Sequence, residues 1–351
     1  MTVPSFGMRP GAFPRALACL LLATLAACGS RPPSPAPVVP DATGTMTSAP
    51  PIRIGIALGG GAAKGFAHIG VIKMLEANGF APSVVAGTSA GSVVGALYAS
   101  GMNAFELQEK AVALDEARIR DLQLSSGGLV LGQKLEDYVN EQVRRKPLEQ
   151  LAKPFVAVAT RLEDGERTVF ARGNTGQAVR ASSSVPGVFQ PVTIGKYHYV
   201  DGGIVSPVPV DAARQLGADV VVAVDISNKA RGQTPGHLLG ALNQSIAIMG
   251  QKLGQAELAR ADITIRPQVL DMGPADFTQR ASAIVEGEKA ALAVMPQLRE
   301  RVAKLQAERA QAVRQAQQKA AEAEHKACLE NRSRLQKLAG TVGLDGSCER
   351  P

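Results

Sequence analysis

Ser89 has the surroundings that a nucleophilic serine requires in this chain of 351 residues. It stands in the sequence Gly87-Thr88-Ser89-Ala90-Gly91, directly after an apolar run at 84–86 that predicts a strand and directly before a run at 90–99 that predicts a helix. Small residues around a serine permit a sharp turn from strand to helix that lifts the hydroxyl above the edge of a sheet. The pentapeptide alone arises often by chance, but its place between a strand and a helix indicates a nucleophile for acyl transfer.

A glycine-rich loop, Gly59-Gly60-Gly61-Ala62-Ala63-Lys64-Gly65, lies between a predicted strand at 52–57 and a predicted helix at 66–78. Consecutive glycines let backbone N–H groups point into a cavity without interference from Cβ atoms. The start of the following helix also favours negative charge. The loop is therefore suited to holding an anion such as a phosphate group.

Nucleotides are one class of ligand for such a loop, but the residues around this loop match neither of two nucleotide-binding patterns. A dinucleotide-binding fold needs an acidic residue at the end of the second strand, about 20 residues on. No Asp or Glu occurs between Glu76 and Glu106. A P-loop needs Gly-Lys-Ser or Gly-Lys-Thr, whereas Lys64 is followed by Gly65 and Phe66.

The serine needs a base, and Asp201 is the candidate that the sequence offers. It follows a predicted strand at 197–200 and precedes Gly202 and Gly203, so it could accept the Ser89 proton directly or merely cap the turn. None of the four histidines lies in a loop at a strand end, where a triad histidine would be expected: His68, His198, His237 and His325. A triad through His198 or His237 stays open as an alternative.

Strands and helices alternate along the central part of the chain, which predicts a three-layer α/β/α fold with a largely parallel central sheet. Asp164-Gly165 predicts a hairpin between strands at 155–161 and 167–170. A nearly unbroken apolar run at 220–225 predicts a buried strand. Further helices are predicted at 104–116, 133–145, 175–182 and 210–216, and a polar helical tail from about 286 to 338, with Pro296 near the first turn of one helix.

Four stretches in this order resemble the patatin-like phospholipases, particularly the bacterial branch near neuropathy target esterase. The similarity covers roughly residues 52–226 and rests on Gly59–Val71, Gly87–Ser92, Arg180–Gly187 and Asp201-Gly202-Gly203. The resemblance implies a catalytic domain at 52–295 and a C-terminal extension at 296–351. It also implies a Ser89–Asp201 dyad, an oxyanion hole formed by the amides of Gly60, Gly61 and Ala62, and conserved-motif positions at Gly59, Lys64, Gly65, Gly87, Gly91, Gly202 and Gly203.

One residue departs from the family pattern. The family sequence Gly-x-Gly-x-x-Gly would fall on Gly60, Ala62 and Gly65, so that an alanine replaces the middle glycine. Lys64 stands where arginine is common. We expect the alanine to be tolerated if its φ angle is negative.

The activity implied by the resemblance is hydrolysis of a glycerophospholipid, a lysophospholipid or a related acyl ester, without a cofactor. No CxxC or HxxxH spacing indicates a metal site. The alternative is a non-catalytic lipoprotein that uses the same domain to bind lipid or protein. Head group, positional specificity and oligomeric state are not predicted.

The first 51 residues predict export and a lipid anchor. Arg9 and Arg15 precede twelve uncharged residues, which is typical of a signal peptide and too short to span a membrane. Leu25-Ala26-Ala27-Cys28 resembles a lipobox, which would place the signal peptide at 1–27 and acyl chains on Cys28. Gly29 after the cysteine favours the outer membrane facing the periplasm. Seven prolines at 29–51 indicate an extended tether; an ordinary signal peptide with an incidental cysteine is the alternative.

Charge and cysteines complete the sequence pattern. The formal charge of +7 is concentrated at the ends, since residues 297–351 hold 11 Lys and Arg against 7 Asp and Glu. The nearly neutral centre gives no support for nucleic acid as a partner. Cys328 and Cys348 are candidates for a disulfide in an exported protein, or else two free thiols.

Overall fold

A mostly parallel sheet forms the centre of the fold in this computed structural model, which describes residues 49–119, 121–125, 128–227 and 238–339. The strands are β1 (Ile54–Leu58), β2 (Val84–Thr88), β3 (Leu122–Ser125), β4 (Gly128–Val130), β5 (Phe155–Arg161), β6 (Arg167–Phe170), β7 (Val192–Ile194), β8 (Tyr197–Asp201), β9 (Val220–Val224) and β10 (Ile263–Ile265). The helices are α1 (Phe66–Ala77), α2 (Ala90–Ala99), α3 (Ala104–Val112), α4 (Gln133–Gln142), α5 (Thr175–Ser182), α6 (Val210–Gln215), α7 (Leu238–Leu258) and α8 (Arg280–Ala339).

The strand order in the large sheet is β10-β9-β1-β2-β5-β8-β7, with β6 also paired to β5. The five strands from β10 to β5 are parallel, whereas β6, β8 and β7 join by antiparallel pairing. A separate hairpin contains β3 and β4. The predicted fold class is confirmed, including the hairpin between β5 and β6.

Helices cover both faces of the sheet, which explains why the central strands are apolar throughout. In β9, Val220, Val222 and Val224 point into a core shared with α1, α2 and α8. Val221 and Ala223 point into the core on the other side, shared with α6 and the end of α7. The carboxyl ends of β1 and β2 lie side by side, since Leu58 pairs with Gly87.

Two sequence predictions about helix ends need correction. The helix predicted at 104–116 ends at Val112, and the helix predicted at 133–145 ends at Gln142. In the second case Arg144 and Arg145 both have φ of 55°, a conformation that a right-handed helix cannot contain.

The C-terminal helix is longer than expected and begins earlier. α8 starts at Arg280 and contains Pro296 in its interior, so the boundary predicted between 295 and 296 falls inside one helix. Met295, Leu298 and Val302 are buried on the core, as their helical spacing indicates. Pro296 has no N–H to donate within the helix, and the helix continues through it.

Several sequence predictions concern residues outside the described ranges. The signal peptide, Cys28 and nearly all of the tether lie there, as do His237 and Cys348, so the Cys328–Cys348 pairing stays a prediction. Within the described part of the chain, no helix combines the length and apolar character needed to cross a membrane.

α1 and α8 cross with their backbones in contact. A Cβ atom added to Gly70 would lie 1.9 Å from the carbonyl oxygen of Ile284, and one added to Gly287 would lie 2.0 Å from that of Ala67. No side chain fits at either position, so the crossing depends on both glycines.

We therefore expect Gly287→Ala to lower the free energy of unfolding by about 2–3 kcal/mol, because overpacking outweighs the better helix propensity of alanine. Gly250→Ala in α7 is the control, since the nearest atom to its new Cβ would be 3.7 Å away. Chemical denaturation of both variants checks this, and equal stabilities would contradict the close crossing.

Candidate active site

Ser89 lies at the junction of β2 and α2 in a strained conformation. Its φ and ψ angles are 53° and −125°, which is unusual for a residue with a side chain. The Ser89 N–H donates to Ser182 Oγ at 3.0 Å, and Ser182 Oγ–H in turn donates to the carbonyl oxygen of Val158 at 2.6 Å. The turn is thus held by α5 and β5, and its strain presents the Ser89 hydroxyl at the sheet edge.

The glycines around Ser89 are required by close backbone contacts. A Cβ atom on Gly87 would lie 2.5 Å from the carbonyl oxygen of Gly91. One on Gly91 would lie 2.1 Å from the carbonyl oxygen of Leu58. The helix after Ser89 therefore packs directly against the end of β1, which begins the glycine-rich loop.

Asp201 ends β8 and is almost wholly buried, with 6% of its surface exposed. Its Oδ1 accepts a hydrogen bond from the Gly203 N–H at 2.7 Å, so it does cap the turn. Its backbone is fixed as well, since its N–H donates to Ser184 O at 2.9 Å and its carbonyl accepts from Thr160 Oγ1 at 2.8 Å. Oδ2 is buried without a partner at hydrogen-bond distance in the described part of the chain.

Burial is the main influence on the Asp201 carboxyl and raises its pKa to about 6. A hydrogen-bond interaction with the Ser89 hydroxyl and the bond from Gly203 N–H act in the opposite direction. Among the described residues no hydrogen bond of normal geometry forms at Oδ2. The structure brings the hydroxyl and the carboxyl to one place.

The glycine-rich loop lies against Ser89. A Cβ atom on Gly60 would lie 3.2 Å from Ser89 Cβ and 3.9 Å from its Oγ. The amide of Gly60 itself donates to the carbonyl oxygen of Pro207 at 3.0 Å. Gly60 was expected to supply an oxyanion donor, and this bond makes its amide unavailable. Gly61 and Ala62 line the cavity beside Ser89, and their amides form no hydrogen bond to another described residue.

Three histidines can be placed relative to Ser89. His68 is fully buried, its Nε2 lies 2.8 Å from the carbonyl oxygen of Gly59, and burial lowers its pKa to about 4. The neutral ring therefore donates to the glycine-rich loop. His198 is exposed and its Nδ1 lies 2.8 Å from Glu163 Oε1, away from the cavity. His325 lies far along α8. The structure gives no support to a triad through His198.

A cavity of about 700 Å³ opens beside Ser89 and Asp201. Its wall is mostly apolar, with aliphatic side chains from α2, α3 and α4, among them Val93, Val94, Leu97, Leu107 and Leu135. Such a volume and lining suit a flexible hydrocarbon chain better than a polar ligand. Ser89 and Asp201 are polar residues in this mostly apolar wall.

Residues 56–214 match the family model described as "Patatin-like phospholipase", which is a little under half of the chain. These residues are similar to a patatin-like phospholipase domain. Ser89, Asp201 and the glycine-rich loop all lie within it.

Relatives with this domain share it over part of their length. The chain is 36% identical over 182 residues to an NTE family protein of Mycobacterium bovis, covering 51% of each. It is 32% identical over 184 residues to human patatin-like phospholipase domain-containing protein 6, covering 50% of this chain and 13% of the human one. It is 27% identical over 279 residues to lysophospholipase NTE1 of Pyricularia oryzae, covering 70% and 19%. The chain thus spans about half or less of these relatives.

Two solved structures resemble the fold at low identity. VipD of Legionella pneumophila gives a TM-score of 0.40 at 14% identity, covering 70% of this chain and 67% of that one. ExoU of Pseudomonas aeruginosa, in complex with SpcU, gives 0.44 at 16% identity, covering 73% and 53%.

The residues whose hydrogen bonds fix the backbone around Ser89 and Gly60 were not identified from the sequence. Ser182 supports the turn at Ser89, and Pro207 supports Gly60, although their partners lie 93 and 147 residues away. Ser182 belongs to the family-like stretch Arg180–Gly187, which was the one available signal for the first contact. No pattern in the sequence marks the second.

Ala62 occupies a left-handed conformation, contrary to the expectation from the sequence. Its φ angle is 53°, where a side chain costs roughly 1–2 kcal/mol and glycine costs nothing. The alanine at the family's middle glycine therefore stores strain in the loop beside Ser89.

We expect Ala62→Gly to raise the free energy of unfolding by about 0.5–1 kcal/mol, the relief of strain being partly offset by the greater freedom of unfolded glycine. Ala63→Gly is the matched control, because Ala63 is buried and has no positive φ, and it should destabilise by about 1 kcal/mol. Urea denaturation measures the change in the free energy of unfolding for both variants. A change of the same sign in both would contradict the strain at Ala62.

Proposed function

We propose that this protein is a serine acyl hydrolase of the phospholipase A or lysophospholipase type. Ser89 is its nucleophile and Asp201 its base. The observation that carries the proposal is the buried Asp201 carboxyl, which lines an apolar cavity together with Ser89 and whose Oδ2 has no hydrogen-bond partner among the described residues. Burial makes this carboxylate a stronger base than an exposed aspartate.

The reaction begins when Ser89 Oγ attacks the ester carbonyl carbon and Asp201 accepts the hydroxyl proton. The carbonyl oxygen becomes an oxyanion, which the amides of Gly61 and Ala62 stabilise by hydrogen bonds. As the tetrahedral intermediate collapses, the bond to the alcohol breaks and Asp201 returns the proton to the leaving oxygen.

Deacylation repeats these steps with water. Asp201 takes a proton from water as the water oxygen attacks the acyl-serine, and Ser89 then leaves with that proton. The products are a fatty acid and the free enzyme. A histidine is not needed, because one carboxyl group serves as base and then as acid in each half of the reaction.

The apolar cavity supports an acyl chain as the part of the substrate that is recognised. Relatives are named phospholipase and lysophospholipase, which favours glycerophospholipids and lysophospholipids over other esters. No group of the described residues selects between these two.

Ser89→Ala and Asp201→Asn are each expected to lower kcat/KM for a lysophospholipid by at least about 10³-fold, because the two groups act as one unit. His198→Ala should stay within about twofold of the wild type. The wild-type kcat/KM should rise with pH through about 6, since only ionised Asp201 accepts the proton. Hydrolysis assays on purified protein at several pH values measure all of this.

Three other outcomes of these assays would contradict the proposed function or its mechanism. Full activity of Ser89→Ala would place the reaction elsewhere, and loss in His198→Ala would restore the triad. An inactive, folded wild type that does not react with a fluorophosphonate at Ser89 would favour the non-catalytic lipoprotein.

We also propose that the protein is anchored in the cell envelope through acyl chains on Cys28, facing the periplasm from the outer membrane. The lipobox-like sequence before Cys28 and the proline-rich stretch after it support this. More than one acyl chain is needed for durable anchoring.

In a Gram-negative host, the wild type should incorporate labelled palmitate and fractionate with the outer membrane, whereas Cys28→Ser should do neither. Cys19→Ser is the matched control, because Cys19 lies within the signal peptide and should change nothing. Palmitate incorporation by Cys28→Ser would disprove the assignment.

A further inference from the structure

Glu257 is a buried acid that the reaction does not use and that lies outside residues 56–214 of the family match. It is in the last turn of α7, with 4% of its surface exposed. Oε1 accepts a hydrogen bond from the Ser206 hydroxyl, and Oε2 accepts one from the Val208 N–H at 2.8 Å. Both oxygens act as acceptors, which is the arrangement of an ionised carboxylate.

The segment that Glu257 holds also contacts the residue before the nucleophile. Thr88 Oγ1 donates to the carbonyl oxygen of Ser206 at 2.8 Å. Ser206 N–H donates to the carbonyl oxygen of Gly202, next to Asp201, at 2.8 Å. Ser206 thus connects the chain around the nucleophile with the chain around the base.

The same segment fixes the glycine-rich loop. The carbonyl oxygen of Pro207 accepts the Gly60 N–H at 3.0 Å. α7 also packs on this proline, because a Cβ atom on Gly254 would lie 3.5 Å from Pro207 Cγ. A shift of Pro207 would therefore move Gly60, which lies against Ser89.

We propose that Glu257 is a positioning residue of the active site: its carboxylate holds residues 206–208 in the place from which they orient Thr88, Gly202 and Gly60. Glu257 contacts none of the reacting atoms itself. The proposal rests on the proposed hydrolase function, since positioning is meaningful only if Ser89 reacts.

Protonation of Glu257 at Oε2 would break the bond from the Val208 N–H, which can only donate, whereas protonation at Oε1 would reverse the bond with the Ser206 hydroxyl, which can also accept. Burial raises its pKa to about 7, while the bonds from Ser206 and Val208 and the charge of Arg260 act in the opposite direction and Asp211 acts with burial. Arg260 and Asp211 pair with each other at the surface of α6, through contacts of 2.8 and 2.7 Å. The ionised and active arrangement is therefore favoured as the pH rises through about 7.

The test compares the full chain with Glu257→Leu, which keeps a similar side-chain volume but can accept no hydrogen bond from Ser206 or Val208. Lys252→Ala, an exposed position on the same helix, is the control. kcat and KM for a lysophosphatidylcholine and a p-nitrophenyl ester are measured from pH 5 to 9, and folding is verified by circular dichroism.

We expect Glu257→Leu to lower kcat about 10–100-fold at pH 8, because a small displacement of reacting groups has effects of this size. KM should change less than about threefold, since the apolar cavity remains. The pH profile of this variant should lose the ionisation near 7 and keep the one near 6 that belongs to Asp201. Lys252→Ala should match the wild type in all of these.

A folded Glu257→Leu with wild-type kcat, or with an unchanged pH profile, overturns the proposal. If Glu257→Leu does not fold, Ser206→Ala decides, since it removes one of the two bonds: reduced kcat at unchanged KM supports positioning, and wild-type kcat refutes it. Ser89→Ala separates the two claims. If Ser89→Ala is inactive while Glu257→Leu equals the wild type, only the positioning role fails; if Ser89→Ala equals the wild type, the hydrolase function fails.

Discussion

A carboxyl group buried beside a serine hydroxyl, with hydrogen bonds from neutral groups only, is the interaction on which this site depends. The pKa of Asp201 rises to about 6 chiefly because of burial. Since the folded state then binds the proton more tightly than the unfolded state, the stability that this carboxyl contributes is complete below its unfolded pKa and is lost as the pH rises through about 6. Near neutral pH the ionised Asp201 carboxylate therefore lies in an apolar place at a cost in stability.

The sheet brings the three loops of the site together, and close backbone contacts keep them there. Because β1 and β2 are parallel neighbours, the loops that follow them emerge side by side at one edge. Gly91 allows α2 to approach the carbonyl oxygen of Leu58, and Gly202 allows the chain after Asp201 to approach the carbonyl oxygen of Val158. A Cβ atom added to either glycine would lie 2.1 Å from the carbonyl oxygen that it faces. Positive φ angles at Ser89 and Ala62 show that this convergence strains the backbone.

Much of the fold and of the candidate site could be predicted from local sequence patterns. The features that could not be predicted share a physical reason. The positions of Ser89, Asp201 and the glycine-rich loop at strand ends follow from apolar runs and glycines that are adjacent in the sequence. The φ angle of Ala62 does not, because alanine itself prefers a negative value and only the surrounding fold imposes the other sign. The bond from Gly60 N–H to Pro207 O joins residues 147 positions apart. Local periodicity carries no information about such a contact.

Contacts between residues far apart in the sequence also explain why the folded unit around the site extends beyond residues 56–214 of the family match. β9, at Val220–Val224, lies outside residues 56–214 yet pairs with β1 in the middle of the sheet. α8 packs on α1 at the crossing of Gly70 and Gly287, and Glu257 on α7 binds the segment after Asp201. The motifs supply Ser89, Asp201 and the glycine-rich loop, whereas the later elements fill the core beneath them. A site whose geometry is set by long-range packing is only as ordered as those elements, so α7 and α8 belong to the same folded unit as the candidate site.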